Sequence, residues 1–367
     1  MESGRQLPGG QRIRKVAGYV LLGSGLAAIA AAIALPTWAM PRLMKIPGDI
    51  RVDTVSIAED SKLIDAGALR RGRAATETGV PLHIQVLVKS VGSADDSHVT
   101  LQASTRMLRT DITGPEQMVS AHVDKVTLDR ATSRPTDPPG LVSNELGEVE
   151  QAPRSGFQYQ FPFGVEKSAY PYFDEVSRTE PDAVYIDDTR REGGLRLLHF
   201  RQEVGPVDLR LTQPDAELTL PASWWGLPGD EPTRFDLWYS NTRDIWVEPT
   251  SGVVVAVEEH PHRRLARSLD DPLQVTTLEA HTRFDDETLA DTIATARNAR
   301  TLIQWGNVYA PIALAVAGTI AALAGSALLW RTTRAGVDRR DVAGVGEHDA
   351  QRRHHLPVQD VAMEQDL

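Results

Sequence analysis

Two long stretches of the chain carry no ionisable side chain, one near each end. The first runs from Val16 to Pro41 and the second from Thr301 to Trp330. Each is longer than the roughly 20 apolar residues that a helix needs to cross a bilayer core. The pattern predicts a transmembrane helix over each stretch and a single domain, residues 42–300, between them.

The basic residues that flank these stretches predict their orientation. Each inner flank carries two basic residues and each outer flank four, namely Arg5, Arg12, Arg14 and Lys15, then Arg331, Arg334, Arg339 and Arg340. Basic residues near span ends favour the cytoplasm. We therefore predict a two-pass plasma-membrane protein with spans at 16–41 and 301–330, an extracytoplasmic domain, a cytoplasmic N-terminus at 1–15 and a disordered cytoplasmic tail at 331–367. A cleaved signal peptide is the alternative for the first span, but its apolar run exceeds the roughly 7–15 residues typical of such peptides.

Small residues recur at every fourth position of both stretches. They are Ser24, Ala28 and Ala32 in the first, and Gly318, Ala322 and Ser326 in the second. Such spacing lets two helices approach closely in lipid. One hypothesis is that the two helices pack together, and the alternative is a chance spacing in alanine-rich segments.

The region between the spans alternates apolar and polar residues with a period of two. The clearest segments are Leu82–Lys89, His98–Thr105, Ala121–Leu128, Leu195–Val204 and a hairpin over Asp244–Val257 that turns at Pro249–Gly252. This alternation is typical of half-buried antiparallel strands. From Asp286 the spacing becomes helical. The predicted fold class is α+β, with a curved, mainly antiparallel β-sheet, and with barrel-like closure as an alternative, between an N-terminal and a C-terminal transmembrane helix.

Composition excludes several classes of function. The formal net charge is −11 and the sequence pI is about 5.4, which argues against a nucleic-acid partner. The chain has no cysteine, so it forms neither disulfides nor Cys-based zinc sites, and it has no thiol nucleophile.

Three separated motifs carry a resemblance to a known family. They are Ser155–Asp174, which contains Phe-Pro-Phe-Gly and Tyr-Pro-Tyr-Phe-Asp, Pro41–Pro47 after the first span, and Trp246–Val253 in the hairpin. With them the chain resembles the actinobacterial porin PorA-like family. The resemblance implies a plasma-membrane protein with two spans and one large domain between them. It also implies a role in the maturation of envelope lipoglycans (lipomannan and lipoarabinomannan), with no enzyme activity to carry over.

Aromatic residues are the candidate ligand-binding residues, because rigid rings with a polar edge suit both acyl chains and sugars. The alternative is that they form the core of the domain. The candidates are Phe157, Tyr159, Phe161, Phe163, Tyr170, Tyr172, Trp224, Trp225, Trp238 and Trp246.

Neither a metal site nor a catalytic site is predicted. His260 and His262 are the one close histidine pair of the domain, and they lack the i, i+4 spacing of a helical zinc pair. Adjacent carboxylates such as Asp187 and Asp188 point to opposite faces of a strand. No Gly-x-Ser-x-Gly nucleophile motif occurs. We predict a non-enzyme without a cofactor.

Three functions remain open. The first is a lipid- or lipoglycan-binding module, whose partner is a membrane lipid or a lipid-linked glycan and whose tethering keeps it near that partner. The second is a scaffold for envelope glycosyltransferases. The third is a porin-like channel, as the family name suggests. The first is the prediction and the others are its alternatives.

Overall fold

The computed structural model describes residues 9–136, 138–143, 148–188 and 194–352. The chain divides into two compact units. One contains Met1–Pro41 and Trp305–Leu367, and the other contains Arg42–Gln304.

Within these described ranges, two helices are long and apolar enough to cross a membrane, namely Arg12–Leu43 and Asp286–Arg334. The helical elements are α1 Gly9–Ala34, a π turn at Leu35–Ala39, α2 Met40–Leu43, α3 Ala66–Arg70, α4 Asp286–Gln304, a second π turn at Trp305–Tyr309, and α5 Ala310–Arg352. The two predicted apolar helices are confirmed, and they fit a membrane-embedded protein.

Helices α1 and α5 pack through glycines seven residues apart. A Cβ on Gly25 would lie 2.6 Å from the carbonyl oxygen of Gly318, and a Cβ on Gly325 would lie 2.7 Å from that of Gly18. Backbones this close are possible only without a side chain. The predicted packing of the two helices is confirmed, but Ser24 and Ser326 are exposed and lie outside the contact.

The C-terminal helix is longer than the sequence predicts. Residues 331–352 continue α5, where we expected a disordered tail. No proline follows Pro311 until Pro357, so every residue in between can donate its backbone N–H within the helix. The rest of that tail, 353–367, and residues 1–8 of the N-terminus lie outside the described residues.

The described part of the second unit contains a 14-stranded sheet. Its strands are β1 Arg51–Ile64, β2 Thr76–Ser90, β3 His98–Arg109, β4 Met118–Asp129, β5 Gly140–Ser143, β6 Val149–Ala152, β7 Tyr170–Pro171, β8 Asp182–Asp187, β9 Leu198–Asp208, β10 Glu217–Pro221, β11 Pro232–Val247, β12 Val254–Ala266, β13 Gln274–Glu279 and β14 Thr282–Phe284.

The paired strands are antiparallel, in the order β6-β5-β4-β3-β2-β1-β13-β12-β11-β9-β8-β7. In addition, β10 pairs with β11, and β14 pairs with β1 and β12. The path ends at β6 and β7, which do not pair with each other in the described ranges, so the barrel-like alternative is not what the structure has. The α+β class with a large antiparallel sheet is confirmed.

Each strand predicted from alternation lies in a strand of the sheet, with small shifts at the ends. The Leu195–Val204 segment, for example, becomes β9 from Leu198 onward. The predicted hairpin forms β11 and β12, and Gly252 in its turn has φ +74°. The helical pattern from Asp286 becomes α4, and the Asp285 carboxylate caps it by accepting from the Thr288 N–H at 2.8 Å.

Two of the motifs that carry the family resemblance pack directly on each other. The Phe161 N–H donates to the Gly252 carbonyl at 3.1 Å, and the Val165 N–H donates to the Pro249 carbonyl at 2.7 Å. A Cβ on Gly252 would overlap the Phe161 carbonyl oxygen. The Phe-Pro-Phe-Gly turn and the hairpin turn therefore form one backbone-to-backbone contact.

Helix α4 covers one end of the sheet face that carries Trp246. Leu289, Ile293 and Ala296 of α4 pack with Trp246 and Ala256. The Thr288 hydroxyl accepts from the Val55 N–H at 3.0 Å, which ties the first turn of α4 to β1. The rest of that face, beyond Trp246, contains the site described below.

Candidate functional site

The aromatic candidates do not form one site, because the structure distributes them among separate clusters. Phe157, Phe161 and Tyr172 are buried in one hydrophobic core, with Tyr170 packed against it. Trp225 is buried in a second core and Trp246 in a third. Tyr159 packs against a fourth. Phe163, Trp224 and Trp238 are half-buried. Contact of these rings with a ligand stays a prediction, because the clusters that hold them are separate.

The geometry of the buried rings is that of a packed interior. The Phe161 and Phe200 centroids are 5.2 Å apart, and Trp225 stacks on Phe235 at 4.0 Å. Burial raises the pKa of Tyr172 to about 12, so its hydroxyl stays protonated. Ring pairs at these separations stabilise a core and leave no space between them.

A buried ion pair joins strand β4 to Arg154, which directly precedes the aromatic segment Ser155–Asp174. The guanidinium of Arg154 meets both carboxylate oxygens of Asp124, at 2.8 and 2.9 Å, and it lies 3.9 Å above the Phe173 ring. The Tyr159 hydroxyl donates to Asp124 at 2.5 Å. Burial raises the pKa of Asp124, while the hydrogen bonds from Arg154 and Tyr159 oppose that rise. These contacts hold the segment in place.

A cavity of about 740 Å³ opens on one face of the sheet, and sequence reasoning missed it. We call it the polar groove. It is lined across β1, β9, β11, β12 and β14 and by the residues between β13 and β14. Its lining includes two arginines, Arg201 and Arg283, and six acidic residues, Glu59, Asp60, Glu203, Asp244, Glu258 and Glu259, of which Glu259 points its carboxylate to the opposite face, toward Arg243.

The groove lining forms rows across the strands. In the first row, Asp244 of β11 lies opposite both Arg201 of β9 and Glu258 of β12, and Glu258 lies opposite Arg283. In the second row, Thr242 lies opposite Glu203 and His260. Because side chains two apart on a strand share a face, Asp244 and Thr242 both point to the face that Trp246 occupies under α4.

Several of the charged groups neutralise one another. Arg201 donates to the two oxygens of Asp244 at 2.9 and 3.1 Å, and these hydrogen bonds raise the pKa of Arg201. The His199 ring nitrogen Nε2 lies 2.6 Å from the same carboxylate. Thr242 donates to Glu203 at 2.8 Å, and Arg243 donates to Glu259. The groove thus offers fixed donors and acceptors with a moderate acidic excess.

Two histidine rings stack in the groove. The centroids of His260 and His281 are 3.7 Å apart, and the buried Nε2 of His260 has no hydrogen-bond partner among the described residues. Burial lowers the pKa of His260, and the neighbouring His281 lowers it further. His260 is therefore neutral at neutral pH, and the stacked rings present an apolar face with a polar edge.

The groove suits a polar organic ligand better than a metal ion. Among the described residues, no group of three or more His, Cys, Asp or Glu side chains could hold a metal. The signal that could have revealed the groove is the alternation of Glu258, His260 and His262 along one strand, which places all three on one face. Their partners come from strands remote in sequence, and alternation alone does not show which strands are neighbours.

Comparison with known proteins gives consistent matches. The sequence model of the Porin PorA family matches residues 17–327. A protein named Porin PorA from Corynebacterium amycolatum is 27% identical over 374 residues, which cover 84% of this chain and 97% of that protein. A protein of the same name from Corynebacterium resistens is 28% identical over 328 residues, which cover 71% of this chain and 79% of that protein.

Proposed function

This chain belongs to the Porin PorA family, and we propose that it is a non-catalytic, membrane-anchored module that binds a lipid-linked glycan. Its sugar part would occupy the polar groove. The proposed setting is the extracytoplasmic side of the plasma membrane, where the chain would take part in lipomannan and lipoarabinomannan biogenesis.

The polar groove is the observation that carries this proposal. Every sugar hydroxyl both donates and accepts hydrogen bonds, so a glycan site needs donors and acceptors side by side. The groove supplies them as Arg201 beside Asp244, Thr242 beside Glu203, and the ring edges of the stacked histidines. A cavity of about 740 Å³ is within the range of ligand sites, which is roughly 300–1,000 Å³.

The aromatic residues suggested a lipid or a lipoglycan as the ligand, and the polar groove favours the lipoglycan. Those rings are mostly packed in cores, and the groove lining is polar. An acyl chain would exclude water from the charged Arg201–Asp244 pair without offering it any hydrogen bond, which is costly. The glycan part of a lipid-linked molecule is therefore the better fit, and the acyl part would remain in the bilayer.

The two apolar helices explain why the module would be anchored. A tethered site meets membrane-borne ligand at a high effective concentration, so modest affinity is sufficient. The excess of basic residues on the outer flanks supports cytoplasmic termini and an extracytoplasmic domain.

The test is binding of purified lipomannan and of its deacylated form to the full chain in lipid nanodiscs. We expect both to bind the wild type. Thr242→Trp, which fills the groove, should abolish binding. Arg234→Trp is the matched control, because Arg234 lies on the same strand and face but does not line the groove. Equal binding by the two variants, or binding that requires the acyl chains, would contradict the proposal.

A channel is the second candidate, and the name of the relatives is the observation that favours it. It predicts ion conductance when the purified full chain is placed in a planar bilayer. Conductance without glycan binding would favour the channel. Co-purification of a glycosyltransferase without either activity would favour the scaffold alternative.

A further inference from the structure

A second cavity of about 370 Å³ adjoins the first. Both cavities are lined by Glu203, Thr242 and His260, so they meet at the second row of the groove. Beyond this junction the lining continues with Gly205, Ser240, His262 and Glu279.

The strand register makes the two cavities one continuous feature. Asp244, Thr242 and Ser240 alternate along β11 and therefore share a face. Ser240 lies opposite His262, and His262 lies opposite Glu279, which forms a third row parallel to the first two. At about 3.4 Å per residue, the three rows span about 14 Å along the strand, more than one pyranose ring covers.

The chemistry changes along this length. The end at Asp244 carries the charged pairs with Arg201 and the row to Arg283. The end at Ser240 is lined by Gly205, Ser240 and His262, together with the carboxylate of Glu279, which is paired with Lys62. The junction carries the stacked His260 and His281 rings. A chain of sugar units that lies along the two cavities would contact these groups one after another. The face of the stacked histidine rings would lie at its centre, and hydrogen-bonding groups would lie at each end.

The charge of the residues that line the two cavities favours an uncharged sugar chain as the ligand. Five carboxylates on the groove face, those of Glu59, Asp60, Glu203, Asp244 and Glu258, share the first cavity with two arginines, and Glu279 of the second cavity is paired with Lys62 at 3.1 Å. Arg201 is already bound to Asp244. A phosphorylated or carboxylated sugar would meet a net negative surface, and like charges at close range raise the cost of binding.

We propose that the two cavities are adjoining subsites for one neutral oligosaccharide of at least two sugar units, which crosses from one to the other at Thr242 and His260. This proposal rests on the proposed function and assigns its ligand a minimum length and a charge. In this proposal, Ser240 and Gly205 help to determine how many sugar units the preferred ligand contains.

The test is a binding series with mannose, mannobiose and mannotetraose on the full chain in nanodiscs. Affinity should rise about tenfold or more, roughly 1.4 kcal/mol, between the one-unit sugar and the longest one. Ser240→Trp and Gly205→Leu should each remove that gain while leaving the affinity for mannose unchanged. Gly205 has no atoms within 4 Å of an added Cβ, so this variant fills the second cavity without a clash. Arg234→Trp should keep the full gain.

The outcomes separate the two proposals. Binding of mannose without any gain in affinity with length would overturn the two-subsite proposal and leave glycan binding intact. A mannose phosphate that binds more tightly than mannose would overturn the neutral-chain assignment. If none of the free sugars binds while lipomannan does, the subsite proposal also fails. If neither the sugars nor lipomannan binds, the proposed function fails as well.

Discussion

Asp124 and Arg154 show how single residues set the position of the aromatic segment. Their side chains are fully buried and paired, with Tyr159 as a further donor to the carboxylate. A buried pair of this kind adds little net stability over an apolar pair, but removal of one partner leaves an isolated buried charge.

Arg154→Met should therefore destabilise the protein by about 3–5 kcal/mol, since Asp124 loses its counter-ion. Asp124→Leu combined with Arg154→Met should recover most of that loss. Denaturant unfolding of the full chain in detergent would measure both. A double variant as unstable as the single one would contradict the account.

Gly252 is required for two reasons, a positive φ and the close approach of the Phe161 carbonyl. Gly79 has a similar φ of +78° but open space around it, so it isolates the first reason. Gly79→Ala should cost about 1–2 kcal/mol for the backbone strain alone. Gly252→Ala should cost about 1–3 kcal/mol more for the steric overlap. Equal losses in unfolding free energy would show that the two turns do not pack as described.

His260 and His122 should make the free energy of unfolding change with pH in opposite directions. Burial lowers the pKa of His260, so the unfolded chain binds more protons below about pH 6.5 and stability falls in acid. Burial works against the charged form of His122, but the hydrogen bond to Glu175 and the negative charge of Glu175 together outweigh it, so the pKa of His122 is raised. Its contribution is present in acid and is lost as the pH rises through the folded-state pKa.

The drop in melting temperature between about pH 7.5 and 5.5 measures these two effects. His260→Gln should make the drop smaller, and His122→Gln should make it larger. The groups that face His260 are His281, Glu279 and Lys62, and they are the same in both variants. A change of the same sign in both variants would contradict the assignment.

At the scale of elements, the paired helices α1 and α5 depend on glycine. Gly25 meets the backbone of α5, whereas Gly23, two residues earlier, has nothing within 4 Å of an added Cβ. Gly25→Leu should therefore destabilise the helix pair by about 1–3 kcal/mol through overpacking. Gly23→Leu is the matched control and should have little effect. Thermal unfolding in detergent compares them, and equal midpoints would refute the packing.

The sequence predicted the individual helices and strands better than it predicted which strands lie next to one another. Charge-free stretches identified both apolar helices, and alternation identified β2, β3, β4, β9 and the β11–β12 hairpin, because a half-buried strand leaves a local period. Local patterns do not state pairing, so the groove was not predictable. Arg201, Asp244, Glu258 and Arg283 form one row only through the register of four strands.

The aromatic residues illustrate the same limit at the candidate site. A ring that packs in a core and a ring that binds a ligand have the same sequence signature. Trp246 lies under α4 and Trp225 lies on Phe235, although both are close in sequence to half-buried Trp224 and Trp238. Only the packing separates core rings from surface rings.

At the scale of the whole molecule, the two faces of the sheet near β11 have different roles. One face carries Tyr239 and Ile245 into the cores, and the other carries Ser240, Thr242 and Asp244 into the groove. A period of two along one strand thus separates the side chains that pack in the cores from those that line the cavities. The two apolar helices fit a membrane-embedded protein, as the proposed lipid-linked ligand would require.

The most direct test of glycan binding is native mass spectrometry of the full chain, purified from its host membrane in mild detergent. We predict a stoichiometric adduct whose mass fits a glycan-bearing lipid. It should be present in the wild type and in Arg234→Trp and absent in Thr242→Trp. A ligand-free mass for the wild type, or a simple phospholipid adduct that Thr242→Trp retains, would contradict the account.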